Sequence, residues 1–177
     1  YDDDAAPYEG ESKIKKTASL SLEVEKNSYE STKQQLLVVM DNNQGFYTQQ
    51  NENKYTRGDT QYLTYSITVK VPVDFFDQAI EQFSILGSVN SLNIHASDLT
   101  TQYIDLEADL DSKEALRNRM KTLLNQANSL TDIIKIESKL SEMQRQIENI
   151  EQQLQNIDRQ TDYSTISISI TQEHDVV

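Results

Sequence analysis

From Lys15 onward apolar and polar residues alternate, with Ala18, Leu20, Leu22 and Val24 on one side and Thr17, Ser19, Ser21 and Glu23 on the other. A period of two is that of a strand with one buried face. Asn27 or Ser28 is placed to cap a helix in which Tyr29, Leu36, Leu37 and Met40 recur at helical spacing. Asn42, Asn43 and Gly45 end it, with Gly45 expected to take the positive φ of a helix C-terminus. A short polar strand is predicted from Phe46 to about Asn51, with Lys54, Arg57, Gly58 and Asp59 in its hairpin loop. Leu63, Tyr65, Ile67, Val69 and Val71 then alternate with Tyr62, Thr64, Ser66, Thr68 and Lys70, which predicts a central strand. Pro72 stops it, Asp74 is placed to cap a helix that buries Phe76, Ala79, Ile80 and Phe83, and Gly87 follows. A fourth strand is expected from about Ser88 to Ala96, with Leu92 and Ile94 turned inward.

These segments form an internal repeat. Leu20 to Val24 followed by Tyr29, Leu36 and Gly45 matches Ile67 to Val71 followed by Phe76, Phe83 and Gly87 in order and nearly in spacing. The fold class this predicts is α+β: a duplicated β-α-β unit of the split βαβ or ferredoxin-like kind, with an antiparallel sheet and both helices on one face. Right-handed crossovers would place the first and third strands at the centre and the fourth beside the first.

Between Asp98 and Asp162 the period changes to that of two long amphipathic helices folded back on each other. The second arm carries Ile133, Ile136, Leu140, Met143, Ile147, Ile150, Leu154 and Ile157, an alternation of three and four that makes a heptad seam. The first arm offers Tyr103, Leu106, Leu110, Met120, Leu124 and Ala127, but Lys113 and Arg117 occupy the middle of that stripe. Their aliphatic stems can cover apolar surface while the charges reach water, with Arg117 expected near Met143 and Lys113 near Ile147. Asn128, Ser129 and Thr131 mark the tip, where Ser129 can cap the second arm. After the hairpin, Ile166, Ile168 and Ile170 alternate with Ser167 and Ser169 in a last strand, expected to pair antiparallel with the fourth. The domain plan is an acidic disordered tether over 1–12, a base domain from 13–97 and 163–172, and a coiled-coil insertion over 98–162.

Composition narrows the function. A net charge of -13 provides no Lys/Arg-lined face for a phosphate backbone, so nucleic acid and anionic membrane surfaces are poor partners. Without cysteine there is no disulfide, thiolate nucleophile or Cys-based zinc site. No apolar run is long enough to span a bilayer, and the chain is expected to be a soluble piece of a longer protein. Asp105, Glu107, Asp109, Asp111 and Glu114 invite a metal or acid/base reading, but Asp105 and Asp109 share a helical face while Asp111 points elsewhere, so they read first as a solvated face. His95 and His174 lack the spacing of a zinc-binding pair, and four glycines supply no phosphate loop or nucleophile elbow. No catalytic, cofactor or metal residue is assigned, and no enzyme activity is expected.

Two surfaces remain as candidates. One is the hairpin, with its polar middle at Lys113 and Arg117 and its tip at Ser129, suited to an unidentified protein partner or to self-association. The other is the sheet face opposite the helices, where Ser66, Thr68, Ser167 and Ser169 would form a Ser/Thr-rich surface able to receive a ligand such as a glycan. The Tyr47, Tyr55 and Tyr62 cluster is a further binding candidate.

Several runs taken together resemble a known family. They are Lys16 to Val24, Val69 to Ala79, Leu86 to Val89, Thr101 to Ala108, Ile136 to Leu140 and Tyr163 to Ile168, and in order and spacing they are similar to the domain of unknown function 4349. After the Asp105-Leu-Glu-Ala108 run this chain reads Asp109-Leu-Asp-Ser112 where the family has Arg-Leu-Lys-Asn, a reversal of charge. The resemblance implies a bacterial or archaeal envelope protein, of a kind that often carries an N-terminal lipoprotein signal and a C-terminal membrane helix after the last strand. It implies no catalytic residues.

Overall fold

The computed structural model describes residues 10–173. Residues 1–9 of the expected tether, and His174, lie outside the described residues. The described residues form two compact units, one from 15–97 with 160–173 and one from 10–14 with 98–159.

The first unit holds the sheet. Its elements are β1 (Ile14–Val24), α1 (Tyr29–Asn42), β2 (Phe46–Arg57), β3 (Thr60–Pro72), α2 (Phe76–Ser84), β4 (Ser88–Asp98) and, after the hairpin, β5 (Tyr163–Gln172). The repeat is present down to its details: a single 3-10 turn, Lys26–Ser28 or Val73–Phe75, precedes each helix. The two glycines explain the symmetry. A methyl group on Gly45 would lie 2.8 Å from Val71 Cγ1 and 3.0 Å from Lys70 O, and one on Gly87 would lie 2.8 Å from Val24 Cγ1 and 3.0 Å from Glu23 O. Each half thus lets its own chain pass against the strand end of the other half, where no side chain fits. Gly45 is needed for this space, and the positive φ at the end of α1 falls instead on Gln44, at 57°.

The strand order is β2-β3-β5-β1-β4. This is the ferredoxin-like order, fourth strand beside the first and second beside the third, with the last strand wedged between β1 and β3. The expected pairing of the last strand with the fourth is therefore wrong. β5 runs parallel to β1 and antiparallel to β3, which makes the sheet mixed rather than antiparallel throughout. Burial supplies the reason: Ile166, Ile168 and Ile170 are at most 2% exposed in the centre, whereas an edge position would leave one flank of this apolar strand uncovered. Tyr29, Leu36 and Met40 of α1 and Phe76, Ala79, Ile80 and Phe83 of α2 close the core over β1, β3 and β5.

The edge strands lie outside that cover. Leu92 and Ile94 of β4, expected inward, are exposed, because the helix side chains that build the core meet only the three middle strands. β2 is longer than predicted: Arg57 pairs with Thr60, so the loop shrinks to Gly58 and Asp59, with Gly58 at φ 65°. Its inner side is fixed by polar contacts to α1. Glu52 accepts hydrogen bonds from the Tyr29 hydroxyl (2.9 Å) and the Lys33 ammonium (2.7 Å). These bonds hold the Glu52 carboxyl below its usual range, while burial first and Glu52 second push the Tyr29 hydroxyl well up. Neither Ser28 nor Asp74 makes a side-chain cap; the 3-10 turns satisfy the entry to each helix instead.

The second unit is the helical hairpin, α3 (Thr100–Gln126) and α4 (Leu130–Asp162). Its 27 and 33 residues correspond to about 40 and 50 Å of helix. The Thr100 hydroxyl first, and then the Thr100 N–H that Asp98 accepts at 3.0 Å, lower the Asp98 carboxyl pKa. Lys13 draws the start of α3 and the end of α4 together: its backbone N–H donates to Thr100 Oγ1 (2.9 Å), its ammonium pairs with Asp158 (2.9 Å), and it lies over the Tyr103 ring.

Candidate functional site

In the hairpin, the predicted stripe of α3 faces the seam. Tyr103, Leu106, Leu110, Lys113, Arg117, Met120, Leu124 and Ala127 are all half-buried. The α4 seam divides in two. Ile147, Ile150, Leu154 and Ile157 are buried, whereas Ile133, Ile136, Leu140 and Met143 are only half-buried. Around the tip, Leu123 (55%), Leu130 (72%) and Ile134 (57%) are openly exposed. Leu123 and Ala127 line a shallow depression with Asp132, Lys135 and Ile136. The Asp132 N–H donates to Ser129 Oγ at 3.4 Å, so Ser129 caps α4 and its hydroxyl is turned to that purpose.

The polar middle is a basic groove. Arg117 and Lys121 of α3 line it together with Leu140, Gln144 and Arg145 of α4, residues on either side of Met143 in sequence. Lys113 is turned toward its own helix, paired with Asp109 at 3.1 Å. The Arg117 Nε is buried and has no hydrogen-bond partner. Sequence spacing identified Lys113 and Arg117 but not Arg145, because Arg145 lies off the seam and enters the groove only through the antiparallel arrangement of the arms. Among the described residues no His, Asp and Glu side chains gather into a cluster able to hold a metal.

On the sheet, the register assembles the second candidate rung by rung. Gln49, Thr68, Ser167 and Ser19 lie side by side across β2, β3, β5 and β1, and Asn51, Ser66, Ser169 and Ser21 form the next rung. These rungs line a depression of about 320 Å³ that Ser91 of β4 also borders. All four sheet residues singled out from the sequence, Ser66, Thr68, Ser167 and Ser169, are in it. Gln49, Asn51 and Ser91 were missed. β2 carries no hydrophobic alternation to reveal which side chains face which way, and the bulge between Tyr47 and Gln49 resets its phase, whereas the alternation of Ser91 with Leu92 and Ile94 could have placed Ser91 on this face. Of the tyrosines, Tyr55 and Tyr62 stack at 5.4 Å, while Tyr47 pairs with Val69 on the opposite, helix-covered side. His95 is exposed on β4, 3.4 Å from the Ser97 hydroxyl.

Fold and surfaces together define an α+β module in which a duplicated βαβ sheet carries a helical hairpin ahead of its last strand. The chain belongs to the family described as Domain of unknown function (DUF4349), which it matches over residues 12–177. No curated protein and no solved structure matches it.

Proposed function

We propose that this protein is a non-enzymatic, extracytoplasmic module, held at the cell membrane by an anchor, that acts through protein interaction at its helical arm. The observation that carries the reading is the split seam. Intramolecular pairing closes the half of α4 from Ile147 to Ile157, yet leaves Leu123, Leu130 and Ile134 exposed around the tip. Apolar side chains grouped at the end of an otherwise charged arm lower their free energy by meeting an apolar partner surface. The partner suited to this end is an amphipathic helix, from another envelope protein or a second copy, laid along the half-open seam. The envelope location rests on the family resemblance.

The test uses the full-length protein in its native membranes. A photo-cross-linking residue at Ser129 should give a discrete adduct, and the triple substitution Leu123→Ser, Leu130→Ser and Ile134→Ser should abolish it without lowering the amount of protein. An adduct that persists in the triple variant rejects the arm as the interaction site. Protease accessibility on intact cells tests location: digestion of this region only after lysis rejects an extracytoplasmic module.

A further inference from the structure

The open sheet face has features that the hairpin does not explain. Its two central rungs present hydroxyls and carboxamides and no ionisable side chain, although the chain carries a net charge of -13. Charged groups begin only one rung away on either side: Lys70, whose ammonium donates to Thr165 Oγ1 at 3.1 Å, and Glu23, which accepts from Asn90 Nδ2 at 3.1 Å. Both are engaged by neighbours, so neither charge is turned into the centre.

Aromatic pairs bound the same strip at both ends. Phe46 stands on the Lys70 rung, and Tyr163 lies two residues before Thr165 on β5, which by strand alternation is the same face. Their rings meet edge to face at 5.7 Å, and they remain 48% and 40% exposed. At the far end Tyr55 stacks on Tyr62. From Tyr62 to Lys70 along β3 is eight residues, roughly 26 Å of strand. A wet sheet face needs only polar side chains. Exposed aromatic surface beside an uncharged depression of about 320 Å³ adds what a ligand site requires, apolar contact next to fixed hydrogen-bonding groups.

We infer that this face binds a neutral, polyhydroxylated chain, an oligosaccharide, with ring faces against Phe46 and Tyr163 and hydroxyls against the Ser/Thr rungs. The chemistry selects this class. Ser and Thr hydroxyls both donate and accept, and Gln49 and Asn51 offer paired donors and acceptors, which suits a ligand whose own hydroxyls do the same. An anionic ligand would find no cation at the centre, and an apolar one would strand the hydroxyls without partners. The Ser and Thr positions of the rungs lie on the three middle strands of the sheet, whose pairing fixes their spacing before a ligand arrives.

Isothermal titration with chitotetraose, cellotetraose and maltotetraose tests the inference. Saturable binding of at least one is expected, with affinity changing less than twofold between 50 and 500 mM NaCl because no charge is neutralised. The double variant Ser66→Val/Ser169→Val should weaken it at least tenfold, and Phe46→Ser at least threefold. Valine suits an exposed strand position, and unchanged circular dichroism melts establish that the fold survives. Should the valines unfold the protein, Ser66→Ala/Ser169→Ala carries the same expectation. In wild-type protein the amide shifts caused by the sugar should centre on Ser19, Ser66, Thr68, Ser167 and Ser169. No saturable binding to any of the three sugars overturns the inference, as does binding that survives the serine variants, shifts confined to the hairpin, or self-association through this face.

Discussion

The two halves of α4 carry the same heptad signature and meet different fates. Ile147, Ile150, Leu154 and Ile157 are at most 9% exposed, while Ile133, Ile136, Leu140 and Met143 remain half-buried and Leu130 and Ile134 stand open. A heptad period tells which residues face the neighbouring helix; it does not tell how much apolar mass that neighbour supplies. Antiparallel pairing sets the closed half against Tyr103, Leu106 and Leu110. Toward the tip, the facing stripe is interrupted by the stems of Lys113 and Arg117 ahead of Met120 and Leu124 and ends in the small side chain of Ala127. One half works as a clasp for the arm and the other as a surface.

The largest effect expected from this contrast is on stability. Ile150→Ala should cost about 2–5 kcal/mol, since it removes buried methyl groups and leaves a cavity, whereas Ile136→Ala, half in water already, should cost about 1 kcal/mol. Urea denaturation of the two variants measures the difference, and equal losses would erase the distinction between the halves. Arg117 provides the next test. Its buried, unpartnered Nε and its position beside Lys121 and Arg145 make it a cost to the isolated arm. Arg117→Met should therefore stabilise by about 1 kcal/mol, by removing an unsatisfied donor and keeping the stem. A loss of stability would mean that the guanidinium supports the fold.

How far these features could be read in the sequence varies with the kind of information each needs. Alternation in β1, β3 and β5 is strong because one face is buried, so Leu20, Ile67 and Ile168 fell on the correct side, as did Ser66 and Ser167. The place of β5 was not legible: strand period fixes which face is buried but carries nothing about lateral order, and chain proximity favoured the fourth strand over the central slot. Leu92 and Ile94 mislead for a related reason: apolar alternation predicts burial, but no helix covers the β4 edge. At Gly45 the sequence points to conformational freedom, whereas close approach to Val71 is what requires a glycine there. Of the aromatic border of the polar face, the Tyr55 and Tyr62 end was legible and the Phe46 and Tyr163 end was not, because Phe46 meets Tyr163 only through the registers of β2, β3 and β5.

Smaller effects sharpen the surface half of the contrast. The double change Leu130→Ser/Ile134→Ser should move thermal stability by no more than about 0.5 kcal/mol, because those side chains bury little in the isolated chain. A melt lowered by several degrees would show that they already have an intramolecular partner. The smallest effect belongs to Lys113. Its pair with Asp109 spans one helical turn, with both side chains partly exposed at 28% and 48%, so water screens most of the attraction. Removing the charge also relieves some repulsion from Arg117, one turn further along, which offsets only part of that loss. Lys113→Gln, which keeps helix propensity and length, should therefore lower stability by about 0.3 kcal/mol at low salt and by nothing measurable in 1 M NaCl. A loss that persists in high salt would place the Lys113 stem among the contacts that close the arm and shift the boundary between clasp and surface one turn toward the tip.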